Sequence, residues 1–520
     1  MIRPLRVLMG AVLIATVGAF AAGTQPVAAA ATCTIDQLTT TAANDNFANV
    51  GPSISADGTE IAFESNQDHD GFNADGNQEI FHYDIDTEVF TQVTSTTAGG
   101  IVANRSPAID GDGSTVFYVT TRNIGGDNSD LNQEVYRWIG GGMFSTTTII
   151  TDTASPIVNG SPSVNNAGDS IAFISDRDGN FELFRYRATG SSTTRLTTTS
   201  SGDSSEPHLT ASGDRVTFSS TANIGGTNAD GSLEIFVRDL NAGTTVALTR
   251  TAAASLSPAI SNNGRRIAFV SSADFAGRNP DLSPELYMRE TTAGTTTALT
   301  AAPDAGFGIS GPRVNAAGTR VAFQSDQNYR GSNGDGSFEV YLRDFGATGQ
   351  RITQVTSSAA GSGEVDIDAA GTHVVFTSRG NLTGANADGG REIFLATCSS
   401  PPPPVQCEGQ LVTVDRARGE LPTTAGDVIR GTAGNDTVAA RGGNDRFCGL
   451  AGNDTFNGGP GADRALGGNG NDRLRGDAGN DRLVGEGGAD TLNGGGGPDT
   501  CLGGPGTDTA TQCSVRQGIP

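Results

Sequence analysis

Between residues 49 and 398, short apolar runs alternate with stretches of Gly, Asn, Asp, Ser and Thr, and no window carries the 3.6-residue spacing of an amphipathic helix. The runs recur. GPSISADGTEIAF, SPAIDGDGSTVFY, SPSVNNAGDSIAF, EPHLTASGDRVTF, SPAISNNGRRIAF, GPRVNAAGTRVAF and EVDIDAAGTHVVF are copies of one segment. Their turn glycines are Gly58, Gly113, Gly168, Gly213, Gly264, Gly318 and Gly371, a period of 45 to 55 residues. Five residues after each glycine stands an aromatic, Phe63 in the first copy and Phe376 in the last. Further on, every copy has a glutamate, an aliphatic and an aromatic, from Glu79-Ile80-Phe81 to Glu392-Ile393-Phe394. Each copy predicts four short strands joined by turns, and such units in series predict an all-β protein built on a seven-bladed β-propeller.

Six copies end in an aliphatic-Thr pair: Val93-Thr94, Ile150-Thr151, Leu196-Thr197, Leu248-Thr249, Leu299-Thr300 and Val355-Thr356. The seventh runs into Pro401–Pro404 instead, and the missing pair stands at the other end of the span, Leu38-Thr39. An N-terminal strand that completes the last blade would remove both open edges of the ring. On the register of the other blades, Cys33 and Cys398 then face each other across an antiparallel pair, within disulfide reach. These blades resemble the TolB-type propeller repeat, whose units open Ser-Pro and run through Asp-Gly to an Ile-Ala-Phe strand. The resemblance covers residues 32–398, about 70% of the chain, with Val365 in place of the usual proline in the seventh unit. Relatives of this repeat serve as protein-interaction platforms or precede a serine hydrolase domain. No such domain follows here, and no Gly-x-Ser-x-Gly elbow exists, so the resemblance implies a platform. Elongated loops before the glutamates bring Asn73 near Asp75, Asn228 near Asp230, Asn333 near Asp335 and Asn386 near Asp388. They lack the run of ligands of a calcium loop and are expected to be Asx turns.

After the prolines the pattern changes. Asp436, Asp445, Asp454, Asp463, Asp472, Asp481, Asp490, Asp499 and Asp508 are spaced nine apart without a slip. A glycine stands two residues before each and a mostly apolar residue two after, from Val438 and Phe447 to Cys501 and Ala510. Minimal strands with one inward residue each form a core too narrow to stand alone. Carboxylates and turn carbonyls gathered at its edges call for a hard cation, and oxygen-only ligation selects Ca²⁺. This segment resembles the RTX, or hemolysin-type, calcium-binding repeat, Gly-Gly-x-Gly-x-Asp-x-apolar-x, with GGPGADRAL and GGNGNDRLR as good matches. The resemblance implies a parallel β-roll with two repeats per coil and several Ca²⁺ ions held between coils. Asp436, Asp454, Asp472, Asp490 and Asp508 would line one edge; Asp445, Asp463, Asp481 and Asp499 would line the other. Thr432, Arg441, Leu450, Asp477 and Glu486 replace the second glycine and Ala440 the first, which weakens the expected sites before Gly458. Four more cysteines, Cys407, Cys448, Cys501 and Cys513, are in or near the roll; Cys501–Cys513 with Cys407–Cys448 is one pairing among those the sequence permits.

The N-terminus reads as an export signal: Arg3 and Arg6, an apolar run from Val7 to Ala22, and small residues ending at Ala31. That run is too short to span a membrane comfortably, no later segment is a better transmembrane segment, and Thr32 is a poor neighbour for an acylated Cys33. The expected organisation is a signal peptide at 1–31, a propeller at 32–398, a Pro-rich linker at 399–425, a calcium-binding roll at 426–513 and a tail at 514–520. A net charge of −24 with no Lys excludes nucleic acid as a partner. What remains is a secreted or cell-surface calcium-binding protein, not an enzyme, whose propeller binds an unidentified protein or a cell-surface polysaccharide. The rival is an extracellular polysaccharide lyase or hydrolase on the propeller face. For it, His208 at the start of an inner strand could face the central channel, with His69, His82 and His373 elsewhere, but no paired-carboxylate or His-cluster spacing stands out; a third reading is a purely structural surface protein.

Overall fold

The structure, a computed structural model, describes residues 32–519 apart from 42–48, 98–103, 141–144, 276, 278, 293, 301–307, 330–332, 346–350, 400–405, 409, 413, 417–421, 423 and 425. The expected signal peptide at 1–31 lies outside the described residues. Seven four-stranded antiparallel sheets follow one another between Cys33 and Cys398 as the blades of a propeller. Blade 1 is Asn49–Ile54, Glu60–Ser65, Glu79–Asp84 and Val89–Gln92 from the axis outward. Hydrophobic clusters bridge neighbouring blades: Ile54, Phe63 and Phe81 of blade 1 pack on Val375, Ile393 and Leu395 of blade 7. Among the described residues no helix is long and apolar enough to cross a membrane.

The third residue of each inner strand is left-handed, at Gly51, Ser106, Ser161, Glu206, Ser257, Gly311 and Glu364. Each marks a bulge that shifts the register of its strand. Two residues later, Ser53, Ala108, Ser163, His208, Arg313 and Asp366 line a central channel of about 600 Å³.

The aliphatic-Thr pair and the blade glutamate are one device. The Thr hydroxyl accepts the N–H of the residue after the glutamate in all seven blades, at 2.8–2.9 Å. In blades 1, 5, 6 and 7 the same hydroxyl also donates to the glutamate carboxylate, as Thr94 does to Glu79. In blade 7 the threonine is Thr39, which donates to Glu392 at 2.6 Å from 353 residues away. Strand Cys33–Gln37 therefore completes the seventh sheet against Glu392–Cys398. Cys33 stands opposite Cys398 in that ladder, with their sulfurs at bonding distance and Cα atoms 4.0 Å apart.

The C-terminal part is a parallel solenoid of two sheets facing each other, in which each strand pairs with the one 18 residues further on. One sheet runs through Arg446–Cys448, Arg464–Asn469 and Arg482–Gly487; the other through Thr455–Pro460, Arg473–Ala478 and Thr491–Gly496. The single inward residues stack into one core, Val438, Phe447, Phe456, Ala465, Leu474, Leu483, Leu492 and Cys501. Two strands extend beyond the expected span of 426–513. Val414–Asp415 begins the first sheet within the expected linker, and Val515–Gln517 ends it within the expected tail. Neither carries the Gly-Asp pattern, so periodicity gave no sign of them. The remaining sulfurs lie at bonding distance as Cys407–Cys448 and Cys501–Cys513.

Ring closure yields two expected outcomes. Peptide mapping of unreduced protein should recover Cys33 joined to Cys398, a link bounded at roughly 4–5 kcal/mol by chain entropy. Thr39→Val should destabilise the propeller by about 1–3 kcal/mol, as Thr94→Val does, because both strip a buried carboxylate of a donor. Denaturant unfolding that leaves T39V at the parent midpoint while T94V falls would mean the N-terminal strand does not close the ring.

Candidate metal centre

All nine aspartates of the repeat are buried, and the structure sorts them into the two expected rows. Along one row the backbone N–H of Asp436, Asp454, Asp472 and Asp490 donates to Oδ1 of the aspartate 18 residues later, at 2.7–2.9 Å. Along the other, Asp427, Asp445, Asp463 and Asp481 do the same toward Asp445, Asp463, Asp481 and Asp499. One oxygen of each carboxylate but that of Asp436 is thus used to hold the coils in register. The other is not: Oδ2 of Asp445, Asp454, Asp463, Asp472, Asp481, Asp490, Asp499 and Asp508 is buried without any hydrogen-bond partner. Such an atom is costly unless a donor or cation meets it.

The first glycine of each repeat shows what space faces that oxygen. A methyl group at Gly458 would sit 2.2 Å from Asp463 Oδ2 and 2.7 Å from the carbonyl oxygen of Gly476, one coil on. At Gly467 the distances are 2.2 Å to Asp472 Oδ2 and 2.8 Å to Gly485 O; at Gly485 they are 2.2 Å to Asp490 Oδ2 and 2.7 Å to Gly503 O. A carboxylate oxygen and a carbonyl oxygen thus converge on a cradle that a side chain there would fill, and hard oxygens of this kind are the ligands Ca²⁺ takes. Among the described residues no three His, Cys, Asp or Glu side chains meet at one point. Each coil offers one carboxylate and its backbone oxygens, and the residues fit a hard cation that spans coils.

Electrostatics point the same way. Burial, opposed by the amide each carboxylate accepts, pushes Asp445 up to about 7 and Asp454, Asp463 and Asp490 up to about 6. The charge of aspartates one coil away adds to the rise in these four. Asp472 and Asp481 are raised by burial as well.

Asp436 stands apart. Its Oδ2 accepts from the N–H and hydroxyl of Thr432 at 2.6 and 3.0 Å, so the threonine that replaces a glycine has taken the donor role. The other departures at that position are tolerated by strain: Arg441, Leu450, Asp477 and Glu486 all hold φ between 68° and 82°. Ala440 brings a real methyl group to the place that glycine leaves open beside the other aspartates. The sequence reading also missed a second ladder, in which Asn435, Asn444, Asn453 and Asn471 accept the N–H of the residue 18 positions later. Asparagine just before the aspartate was its signal.

The propeller loops are turns, as expected: Nδ2 of Asn73, Asn228, Asn333 and Asn386 donates to the carbonyl four residues on. In the channel, His208 Nδ1 accepts the N–H of Ile260 at 3.4 Å, and Arg313 lies 3.6 Å from Asp366. Burial, with the positive charge of Arg313, pushes His208 down to about 3. Among the described residues no hydrogen bond or ion pair joins it to another titratable side chain.

Comparison with known proteins bears on both parts. Residues 423–456, 449–483, 457–492 and 475–510 match the RTX calcium-binding nonapeptide repeat in four copies. No curated protein matches the chain in sequence. Among solved structures, oligogalacturonate lyase from Vibrio parahaemolyticus is similar at a TM-score of 0.50 and 12% identity, over 70% of this chain and 93% of that one. TolB from Acinetobacter baumannii aligns at TM-score 0.37 and 18% identity, over 58% of this chain and 64% of that one. The β-propeller domain of the Trilobed protease from Pyrococcus furiosus aligns at 0.44 and 11%, over 69% and 99%. At these identities the likeness concerns the fold.

Three substitutions test the cradle. Gly485 has no left-handed φ, so Gly485→Ala suits its own dihedral angles, yet its methyl would crowd Asp490 Oδ2 and the carbonyl of Gly503. Calorimetric calcium titration should show fewer ions bound by G485A, whereas Ala440→Gly should gain capacity beside Asp445. Leu450→Gly relieves a left-handed leucine and should stabilise the calcium-loaded roll by about 0.5–1 kcal/mol in thermal melts.

Proposed function

We propose that this is an exported protein whose C-terminal roll folds on calcium outside the cell, and whose propeller presents a face to a protein or polysaccharide partner. The observation that carries the calcium reading is the double row of buried aspartate oxygens left without donors, each except that of Asp445 beside a glycine cradle. Extracellular modules bind Ca²⁺ with Kd of order 10⁻⁴–10⁻³ M, so cytosolic calcium would leave the roll unfolded until export. The match to RTX repeats and the three cysteine pairs at bonding distance support the same location. A calcium-free roll must order Gly-rich coils at roughly 1–2 kcal/mol of backbone entropy per residue, against a core one side chain wide. Its aspartates would meanwhile be desolvated without a counter-charge. The ion therefore acts as a folding switch, as coupled metal binding and folding requires.

The propeller face as a lyase or hydrolase is the second reading, supported by the grouping of His208, Arg313 and Asp366 along one channel. It is the weaker one, because His208 already spends Nδ1 on a backbone amide and is held neutral. Turnover of polysaccharide that disappears in His208→Ala would favour it.

Calcium titration of the full chain followed by circular dichroism tests the main reading. Added Ca²⁺ should raise β-structure cooperatively, and chelator should abolish that increment while the propeller's own melting midpoint barely moves. Asp472→Ala with Asp490→Ala should weaken the transition far more than Asp436→Ala, whose free oxygen Thr432 already satisfies. A roll that stays folded in chelator, or a propeller that melts with it, would overturn the division of labour.

A further inference from the structure

The two outer faces of the roll differ, and one is built like a binding surface. On the first sheet, Arg446, Arg464 and Arg482 occupy the same place in successive coils and are direct register partners. Strand spacing puts their Cα atoms about 4.8 Å apart, so three guanidinium-bearing stems form a ladder on one face. Two residues along each strand, Leu466, Val484 and Leu502 form a parallel aliphatic column, also in register and half-buried. The second sheet has no such pair of columns: Arg473 lies between Thr455 and Thr491, and Arg475 between Asn457 and Asn493.

Like charges in register destabilise a sheet unless something neutralises them. On the first two rungs something does. Glu408 Oε2 lies 3.3 Å from Arg446 Nη1 and 2.5 Å from Arg464 Nε, one carboxylate oxygen shared by two coils. The next gap, between Arg464 and Arg482, repeats the geometry one coil on. Arg482 has no ion-pair partner among the described residues, and its side chain is partly exposed.

We propose that this face binds a linear carboxylate polysaccharide, a polyuronate, with its carboxylates on the arginine ladder and its sugar rings over the aliphatic column. Glu408 shows the contact in miniature, because its carboxylate already bridges two rungs. Two rungs span about 9.6 Å, on the scale of two sugar units in an extended chain, so the carboxylates along one side of that chain meet alternate guanidiniums. Arginine suits planar carboxylates through charge-assisted bonds. The overall acidity of the protein does not forbid this, since exposed charges are screened beyond about 8 Å at physiological salt. Glu408, next to the Cys407–Cys448 pair, sets where the free ladder begins.

The proposal rests on the calcium reading, because the ladder exists only when the roll is folded. Short alginate oligomers serve as the probe, with dextran and polyphosphate oligomers in parallel, on the full calcium-loaded chain at physiological salt. Alginate should bind and dextran should not. Arg464→Ala with Arg482→Ala should weaken binding roughly tenfold or more, the loss expected for two charge-assisted contacts. Glu408→Gln should strengthen it severalfold by freeing two rungs, a gain that a purely structural glutamate would not give. Circular dichroism of the same samples separates the two failures. No alginate binding by a folded roll overturns the ladder alone, whereas a roll that gains no structure with calcium overturns both readings. Alginate held equally by the double variant would mean calcium bridging to aspartates, and polyphosphate bound as tightly as alginate would mean no carboxylate specificity; either result overturns the proposal.

Discussion

A carboxylate removed from water must find donors or a cation, and both halves of this protein are organised by how they meet that demand. The desolvation penalty of an unpaired charge exceeds what a few apolar contacts return. In the propeller each blade buries a glutamate and surrounds it with hydroxyl and amide donors: Glu79 takes Thr94, the N–H and hydroxyl of Thr96, and Asn104. Asn104 opens the next blade, so satisfying the charge also fastens neighbour to neighbour. In the roll the same demand is met halfway. One aspartate oxygen takes a backbone amide from the preceding coil, and the other is left to an ion.

On the proposed reading, that difference makes one half self-sufficient and the other conditional. Burial raises the Glu79 carboxyl while the donors of Thr94 and Thr96 pull it back, all within the chain. Asp463 and Asp490 have one amide each to oppose burial and the charge of their neighbours, and they remain raised to about 6. The propeller also has broad clusters between blades, such as Ala259, Leu286, Phe323 and Tyr341 between blades 5 and 6. The roll has one side chain per strand. Its cohesion is electrostatic where that of the propeller is hydrophobic, and an ion is its natural control variable.

Much of this was legible in the residues because repetition turns weak local signals into strong ones. A single Gly followed by Phe five residues later means little, but seven at one period mean blades. The absent seventh pair is as telling: a missing aliphatic-Thr pair at one end and a surplus one at Leu38-Thr39 place the closing strand in the last blade. The aspartate rows were legible for the same reason. What was not legible lies where the pattern lapses. Val414–Asp415 and Val515–Gln517 join the first sheet by backbone pairing alone, which no side-chain period reports. The partnership of Thr432 with Asp436 was invisible because a substitution in a motif reads as a loss, while in three dimensions it supplies a donor. The ladder of arginines escaped for another reason. Arg446, Arg464 and Arg482 are 18 apart, the period already expected for the aspartate rows, but no motif of the repeat draws attention to the residue after the aspartate.

The same spacing rule ties the ion to the surface. Calcium between coils would sit at the edges, where the aspartate rows run, and the arginines project from the sheet between them. Each Asp-Arg step, as at Asp463-Arg464 and Asp481-Arg482, places an inward anion beside an outward cation on consecutive residues. With the aspartates neutralised from within and Glu408 already facing Arg446 and Arg464, Arg482 would be the uncompensated charge of that ladder. On the proposed reading, removing the ion would do more than dissolve the coils: it would restore carboxylates that compete for the same arginines. If both proposals hold, calcium governs whether the surface exists and what sign it shows, and folding and binding become one event.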